Sequence, residues 1–236
     1  MKYVILPTNQ VRRLSFYLAM EEYVARHFPG GDFFFMWQVE PSVIFGRHQV
    51  LENEVNVAYC RAHQIKMYRR KSGGGCVYAD WDNLMLSYVS DGDQVGYIFN
   101  QFVQMILLVL RKMGIEATGT THNDIMIGDR KVCGTAYYQL PGRSIVHSTM
   151  LYDTNMEHML NAITPSAEKL EKKGIQSVRQ RITLLKEHVS MTLDEVKTLI
   201  RETLCEGEVE LTPAQVEEIE TIEQSYLKQE FIHLIK

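Results

Sequence analysis

Arg69-Arg70-Lys71-Ser72-Gly73-Gly74-Gly75-Cys76-Val77-Tyr78 joins a basic run, a hydroxyl and three consecutive glycines to an apolar exit. Glycine lets a backbone take positive φ and approach a ligand without interference from a Cβ. Successive N–H groups of such a turn form an anion-binding concavity, and arginine adds a planar fork that matches phosphate oxygens. The stretch reads as a phosphate or acyl-phosphate site, or as a tight surface turn with basic neighbours. A P-loop kinase or NTPase is excluded, because no Gly-Lys-Ser/Thr follows the glycines.

The surroundings of the glycines set the fold expectation. Residues 65–68 read as a strand entering the turn and 84–89 as a buried strand leaving it, which predicts a hairpin with the glycines at its head. Upstream, Leu14, Leu18, Tyr23, Val24 and Phe28 recur near a 3.6 period and end at Pro29-Gly30-Gly31, the pattern of a helix and its stop. The aromatic-rich 33–39 and the apolar 42–45 read as strands. Downstream, 95–113 carries one wide apolar face, with Gly114 where a left-handed cap belongs. Strands are expected at 124–127 and from residue 131 to 138, joined across Gly128-Asp129-Arg130, and again over 144–152. Beyond Asp153 helices take over. Thr192-x-x-Glu195 and Thr212-Pro213-x-Gln215 are capping signatures that open two amphipathic helices. Strands first and helices last, without regular βαβ alternation, predict an α+β fold.

Composition narrows the function classes. At 236 residues, 45% hydrophobic and 23% charged, the chain has the make-up of a folded globular protein. Its net charge of −4 offers no bulk attraction to nucleic acid or membrane, so an anionic ligand needs a local basic cluster. The apolar runs near Ile5 and at 106–110 are too short for a signal peptide or a membrane span. The four cysteines form no CxxC and read as reduced thiols of a cytoplasmic protein. Cys60 and His63 have ligand-like spacing, but no second pair completes a zinc site.

A second chemical segment runs Thr121-His122-Asn123-Asp124-Ile125-Met126-Ile127-Gly128-Asp129-Arg130-Lys131-Val132-Cys133-Gly134-Thr135-Ala136. Lys131 sits just past a turn and is followed by small residues that let a ligand pass closely. By itself it is equally a solvated edge-strand charge.

Taken together, the glycine stretch and Asn123-Asp124 with Lys131-Val132-Cys133-Gly134-Thr135-Ala136 resemble the lipoate–protein ligase A and lipoyltransferase family of the biotin/lipoate ligase superfamily. Gly46-Arg47-His48-Gln49 is similar to that family's Gly-Arg-x-Gln turn. Pro165-Ser166, Lys169-Leu170, Lys173-Gly174-Ile175 and Ser177-Val178-Arg179-x-Arg181-Ile182-Thr183 are similar to the stretch after its catalytic core. The resemblance runs from about residue 39 to 184 with the motifs in family order. It implies a class II synthetase-like α+β domain, a mixed sheet flanked by helices. The implied division is a catalytic domain over 1–190 and a helical tail over 191–236, without the family's C-terminal accessory domain.

The resemblance also implies chemistry. Lipoate carboxylate attacks the α-phosphate of ATP to give lipoyl-AMP and pyrophosphate; the ε-amine of a carrier lysine then attacks the mixed anhydride and releases AMP. Lys131 is the implied catalytic charge. Arg70, Ser72, Gly73, Gly74, Gly75, Cys76, Val77, Tyr78, Asn123 and Asp124 join it around ATP and lipoyl-AMP, with Asp124 as the candidate Mg²⁺ ligand or, equally, an Asx turn. Arg70, Gly75, Lys131, Gly134 and His147 are the implied lipoate contacts, and Val77, Tyr78 and the residues around Gly46 the expected tunnel wall. Expected acceptors are lipoyl carrier domains of 2-oxoacid dehydrogenase acyltransferase subunits and the glycine-cleavage carrier protein, and a separate accessory protein is a further expected partner. His147-Ser148-Thr149 departs from the family's His-Gly-Thr, and Tyr137-Tyr138 replaces a polar pair. His147 fits either a site residue or a hydrogen-bonded core histidine. The alternatives are a transferase that uses preformed lipoyl-AMP, an octanoyl transferase working through a thioester on Cys76 or Cys133, and a non-catalytic binder of lipoate or carrier. Ser166-x-x-Lys169 imitates a penicillin-enzyme motif but lacks its companions.

Overall fold

The structure is a computed structural model that describes residues 1–120, 124–163 and 181–234. Most of the 165–183 signature, and Thr121, His122 and Asn123, lie outside the described residues.

The main sheet carries the strands β1 (Lys2–Ile5), β2 (Phe33–Trp37), β6 (Asn83–Asp91), β7 (Thr118–Gly119), β8 (Asp124–Ile127), β9 (Arg130–Leu140), β10 (Arg143–Leu151) and β11 (Gly207–Glu210). Their spatial order is β11-β1-β2-β6-β10-β9-β8-β7. β1 runs parallel to both its neighbours and the other pairs are antiparallel, so the sheet is mixed. A second sheet sets β3 (Ser42–Phe45) between β4 (Lys66–Arg69) and β5 (Val77–Ala79).

Alternation along the central strands builds the layers, because successive side chains leave a strand on opposite faces. Leu84, Leu86 and Tyr88 of β6 join one core with Phe102, Ile106 and Val109 of α4 (Val95–Lys112) and Val196 and Ile200 of α6 (Leu193–Leu204). Met85 and Val89 join the opposite core with Leu18, Met20 and Val24 of α1 (Leu14–His27) and Val216 and Ile219 of α7 (Pro213–Leu227). Burying a side chain such as Phe102 or Ile106 contributes about 1.5–3 kcal/mol. The small sheet packs with α2 (Leu51–Glu54), α3 (Val57–Ala62) and α5 (Met156–Ala162) in a third cluster. A last helix, α8 (Gln229–His233), lies against β4.

The expected helices form where their signals stand. Gly114 takes φ +80 just past α4, and both capping boxes are complete, Thr192 with Glu195 and Thr212 with Gln215. Each box satisfies two backbone donors that the first helical turn leaves unpaired. Two expectations need correction. The glycines do not head a hairpin: β3 lies between β4 and β5, and β6 belongs to the other sheet. The stretch after residue 190 is not helical throughout, because β11 lies between α6 and α7 and pairs with β1 as the edge of the main sheet.

Candidate active site

A cavity of about 220 Å³ brings the two chemical segments together. Its wall includes Arg70, Gly74, Gly75, Cys76 and Val77 from the glycine stretch, Asp124, Lys131 and Gly134 from the β8–β9 hairpin, and His147 from β10. Ile44, beside the Gly46 turn, and Ala136, from the Lys131 motif, add apolar wall, and Leu18, Trp37 and Met85 supply more that the motifs did not reveal. Only the aromatic run around Trp37 was a signal, and it reads equally well as core.

Lys131 extends along β9 and places Nζ 2.8 Å from Asp124 Oδ1. Both side chains remain about one-third exposed, so neither charge is locked in the core. Gly134 lies directly opposite Asp124 in the register. A Cβ on Gly134 would fall 2.6 Å from Lys131 Nζ and 2.7 Å from Cε, so the lysine reaches the carboxylate by crossing over a bare glycine. Asp124 thus acts as the partner of Lys131. The downstream signature meets the lysine by its backbone: Thr183 N donates to Lys131 O at 2.9 Å, and Ile182 bridges the same residue.

The glycine stretch is held from within. Arg70 is buried and donates to Gly73 O (3.2 Å from Nε, 2.7 Å from Nη2), Gly75 O (2.8 Å) and Ile44 O (3.1 Å). In this structure the guanidinium braces the loop and also borders the cavity. Burial lowers its pKa to about 10. Only Gly74 of the three glycines takes positive φ, at +93. The Gly46 turn packs against it so closely that a Cβ on Gly46 would lie 2.1 Å from Gly74 O.

Ser72 and Gly73 are not in the cavity wall, and neither is Tyr78. Ser72 Oγ instead lies 2.7 Å from His147 Nε2, and His147 Nδ1 lies 2.9 Å from Glu21 Oε2. Glu21 Oε1 accepts from Ser87 Oγ at 2.5 Å, whose oxygen accepts from Trp37 Nε1 at 2.9 Å. His147 is therefore both a wall residue and a hydrogen-bonded core histidine, since it shares a face of β10 with Ile145 and looks onto α1. Tyr78 is fully buried beside His158, because β5 pairs with β3 and turns that side chain into the third core cluster. Asn123 lies outside the described residues.

The departures from the family pattern have clear local settings. Ser148 follows His147 on β10, so its side chain leaves on the α4 face beside the Cys133 thiol, and the residue also borders the cavity. Tyr137 OH lies 2.6 Å from Ser144 Oγ, and Tyr138 packs on the α1 core; neither lines the cavity. Burial pushes the Cys76 thiol up to about 12, opposed by the Arg70 charge, and the Cys133 thiol up to about 11. A thiol held protonated is a poor nucleophile. Cys60 is fully buried while His63 is exposed and stacked on Tyr59, so the pair does not form a metal site. Among the described residues no group of three metal-ligating side chains occurs, and no helix is long and apolar enough to cross a membrane.

Residues 14–205 match the lipoyl protein ligase A/B catalytic domain. The chain belongs to that family. It is 34% identical over 224 residues to lipoate–protein ligase 1 of Staphylococcus aureus, covering 93% of this chain and 68% of that protein. Across three such relatives it spans 56%, 66% and 68% of their own lengths. It superposes with a TM-score of 0.85, at 27% identity, on a chain from a study of the bi-partite lipoate protein ligase of Thermoplasma acidophilum and its E2 lipoyl domain; 99% of this chain and 96% of that one are covered. A lipoate–protein ligase A bound with ATP gives a TM-score of 0.83 at 25% identity, with 99% of each chain covered. The architecture is that of the lipoate ligases, a mixed sheet flanked by helices.

Proposed function

We propose that the chain is a lipoate–protein ligase, which activates lipoate with ATP to lipoyl-AMP and passes the lipoyl group to a carrier lysine. The observation that carries this reading is the shared cavity, in which a glycine loop, a partly exposed Lys131–Asp124 pair and an apolar wall meet. Negative charge grows on the α-phosphate and the acyl oxygen during activation, and Lys131 is placed to follow it once ligand competes with Asp124 for the ammonium. A preorganised donor of this kind is typically worth ~2.7–4 kcal/mol of barrier. The carboxylate oxygen of lipoate attacks the α-phosphorus and pyrophosphate leaves. The carrier ε-amine then attacks the acyl carbon, AMP leaves, and the amine gives up a proton. Backbone N–H groups of Gly75, Cys76 and Val77 are the proposed cradle for the adenylate, and Leu18, Trp37, Ile44 and Met85 the proposed surroundings of the acyl chain. Asp124 is the carboxylate of the wall and is engaged with Lys131, which does not fit a resident metal site. Mg²⁺ enters this reading with ATP, as part of the substrate.

A second reading has one specific support. The Thermoplasma relative is bi-partite, and in this reading a separate accessory polypeptide is required for adenylation. One assay separates the two: lipoate, MgATP and an apo lipoyl domain in one arm, synthetic lipoyl-AMP and the same domain in the other. Lipoylation in both arms is expected of the ligase. Lipoylation from the adenylate alone supports the bi-partite reading, and none in either arm overturns both.

A further inference from the structure

The basic run before the glycines divides its side chains between two jobs. Arg70 borders the cavity, and Ser72 is tied to His147 in its wall. Arg69 and Lys71, which the chemistry above does not use, both end on the C-terminal helices. Arg69 is 1% exposed and its guanidinium lies 4.7 Å over the Phe45 ring. Its Nη1 donates to the carbonyls of Gly46 (3.0 Å), Arg47 (3.1 Å) and Gln49 (2.7 Å). Its Nε and Nη2 both donate to Ile232 O, at 3.0 and 2.8 Å. Ile232 lies in the last turn of α8, where carbonyls have no partner within the helix. Lys71 lies 4.5 Å over the Tyr226 ring and pairs with Glu22, whose carboxylate also accepts from the Tyr226 hydroxyl. Phe231 closes the arrangement by packing edge-on against Tyr226, 5.7 Å between ring centroids.

The far end of this clamp reaches the glycines. Arg69 fixes the Gly46 to Gln49 turn, Arg47 N donates to Ser72 O at 2.9 Å, and Gly46 abuts Gly74 without room for a methyl group. A shift of α8 therefore takes the Ile232 carbonyl, which accepts two bonds, from a buried charge that also holds the turn on which the glycine loop rests.

We propose that Arg69 and Lys71 are positioning residues that join the glycine loop to the α7–α8 pair, so that seating of α8 sets the loop's affinity for acyl-adenylate. Linkage makes the effect reciprocal: a ligand that needs the seated loop also tightens α8. The inference rests on the acyl-adenylate reading of the cavity.

The test uses the full chain, the variants Arg69→Met, Arg69→Lys and Phe231→Ala, and a non-hydrolysable lipoyl-adenylate mimic. Phe231 is not part of the cavity wall, so Phe231→Ala loosens α8 without altering a wall residue. The expectation is an affinity for the mimic reduced about tenfold in Phe231→Ala and in Arg69→Met, with kcat changed far less than KM. Arg69→Lys should recover part of the loss, and the double variant should be no weaker than the worse single one. Hydrogen exchange at residues 229–233 should slow when wild type binds the mimic and respond less in Arg69→Met. Wild-type affinity in Phe231→Ala overturns the linkage, as do multiplying effects in the double variant or exchange at α8 that ignores the ligand. These readouts hold even if Arg69→Met does not fold, since Phe231→Ala and wild-type exchange decide alone. Failure of wild type to bind the mimic at all would instead sink the reading of the cavity.

Discussion

Lys131 and Gly134 have to be understood as a pair. The ammonium is held 2.8 Å from Asp124 in a partly open position, where it can exchange one anion for another at small cost. Lys131→Ala removes the charge from a partly exposed place, so the fold should survive while adenylate formation falls about 10²–10³-fold. Circular dichroism and a lipoyl-AMP formation assay measure the two halves of that statement, and wild-type adenylation by the variant would refute the role. Gly134→Ala makes a subtler test. Its methyl group would collide with the free end of a flexible side chain rather than with backbone, so the lysine yields and the strand does not. Thermal stability should stay near wild type while adenylation drops; a variant with full activity would show that the path of Lys131 over Gly134 is unimportant. Arg70 illustrates the opposite case, a cavity-lining cation whose bracing of the loop the motif did not reveal, because sequence pattern does not show that loop carbonyls occupy most of its donors.

At the level of elements, what could be read from sequence tracks how local the determinants are. The long helix over Val95–Lys112, the hairpin of β8 and β9, and both capped C-terminal helices arise from periodicity, turn residues and caps within a few positions, and all were legible. β1 and β11 were not: each has four residues, and they find each other across the whole chain. The site divides in the same way. Its polar residues lie in two compact motifs, whereas Leu18, Trp37 and Met85 come from separate elements and carry only the signature of core. The glycine loop was recognisable as a unit, but its three glycines are not equivalent. Gly74 needs positive φ, and a Cβ there would lie 2.9 Å from the buried Arg70 Nη2; Gly73 has neither constraint. Gly74→Ala should cost about 1–2 kcal/mol from backbone strain, whereas Gly73→Ala should leave the denaturant midpoint almost unchanged. Gly46→Ala should be worse than either, since its methyl group meets backbone oxygen at 2.1 Å. Equal midpoints for Gly73→Ala and Gly74→Ala would contradict this ranking.

For the molecule as a whole, the two helical layers on the main sheet and the third cluster under the small sheet bury Cys60 and Cys133 and leave Cys76 and Cys205 partly buried. Burial raises Cys60, Cys133 and Cys205 to about 11 and Cys76 to about 12, from an unfolded-state value near 8.5. The same arrangement that makes these cysteines poor nucleophiles makes the fold sensitive to alkaline pH. Between about pH 8.5 and 11 the folded chain keeps thiol protons that the unfolded chain releases, so the native state binds more protons and stability must fall as pH rises. Tyr68, raised to about 12 by burial, extends the trend upward. The expected result is a urea midpoint that is steady from pH 7 to 8 and declines progressively from pH 8.5 to 10. Cys60→Ser starts from lower stability, because it places a hydroxyl in apolar surroundings, whereas Cys133→Ser sets one beside the Ser148 hydroxyl. Their decline with pH should nevertheless be shallower than that of wild type, since serine has no proton to lose in this range. A wild-type midpoint that stays level or rises through pH 10, or serine variants that keep the full slope, would show that other groups govern the alkaline limit.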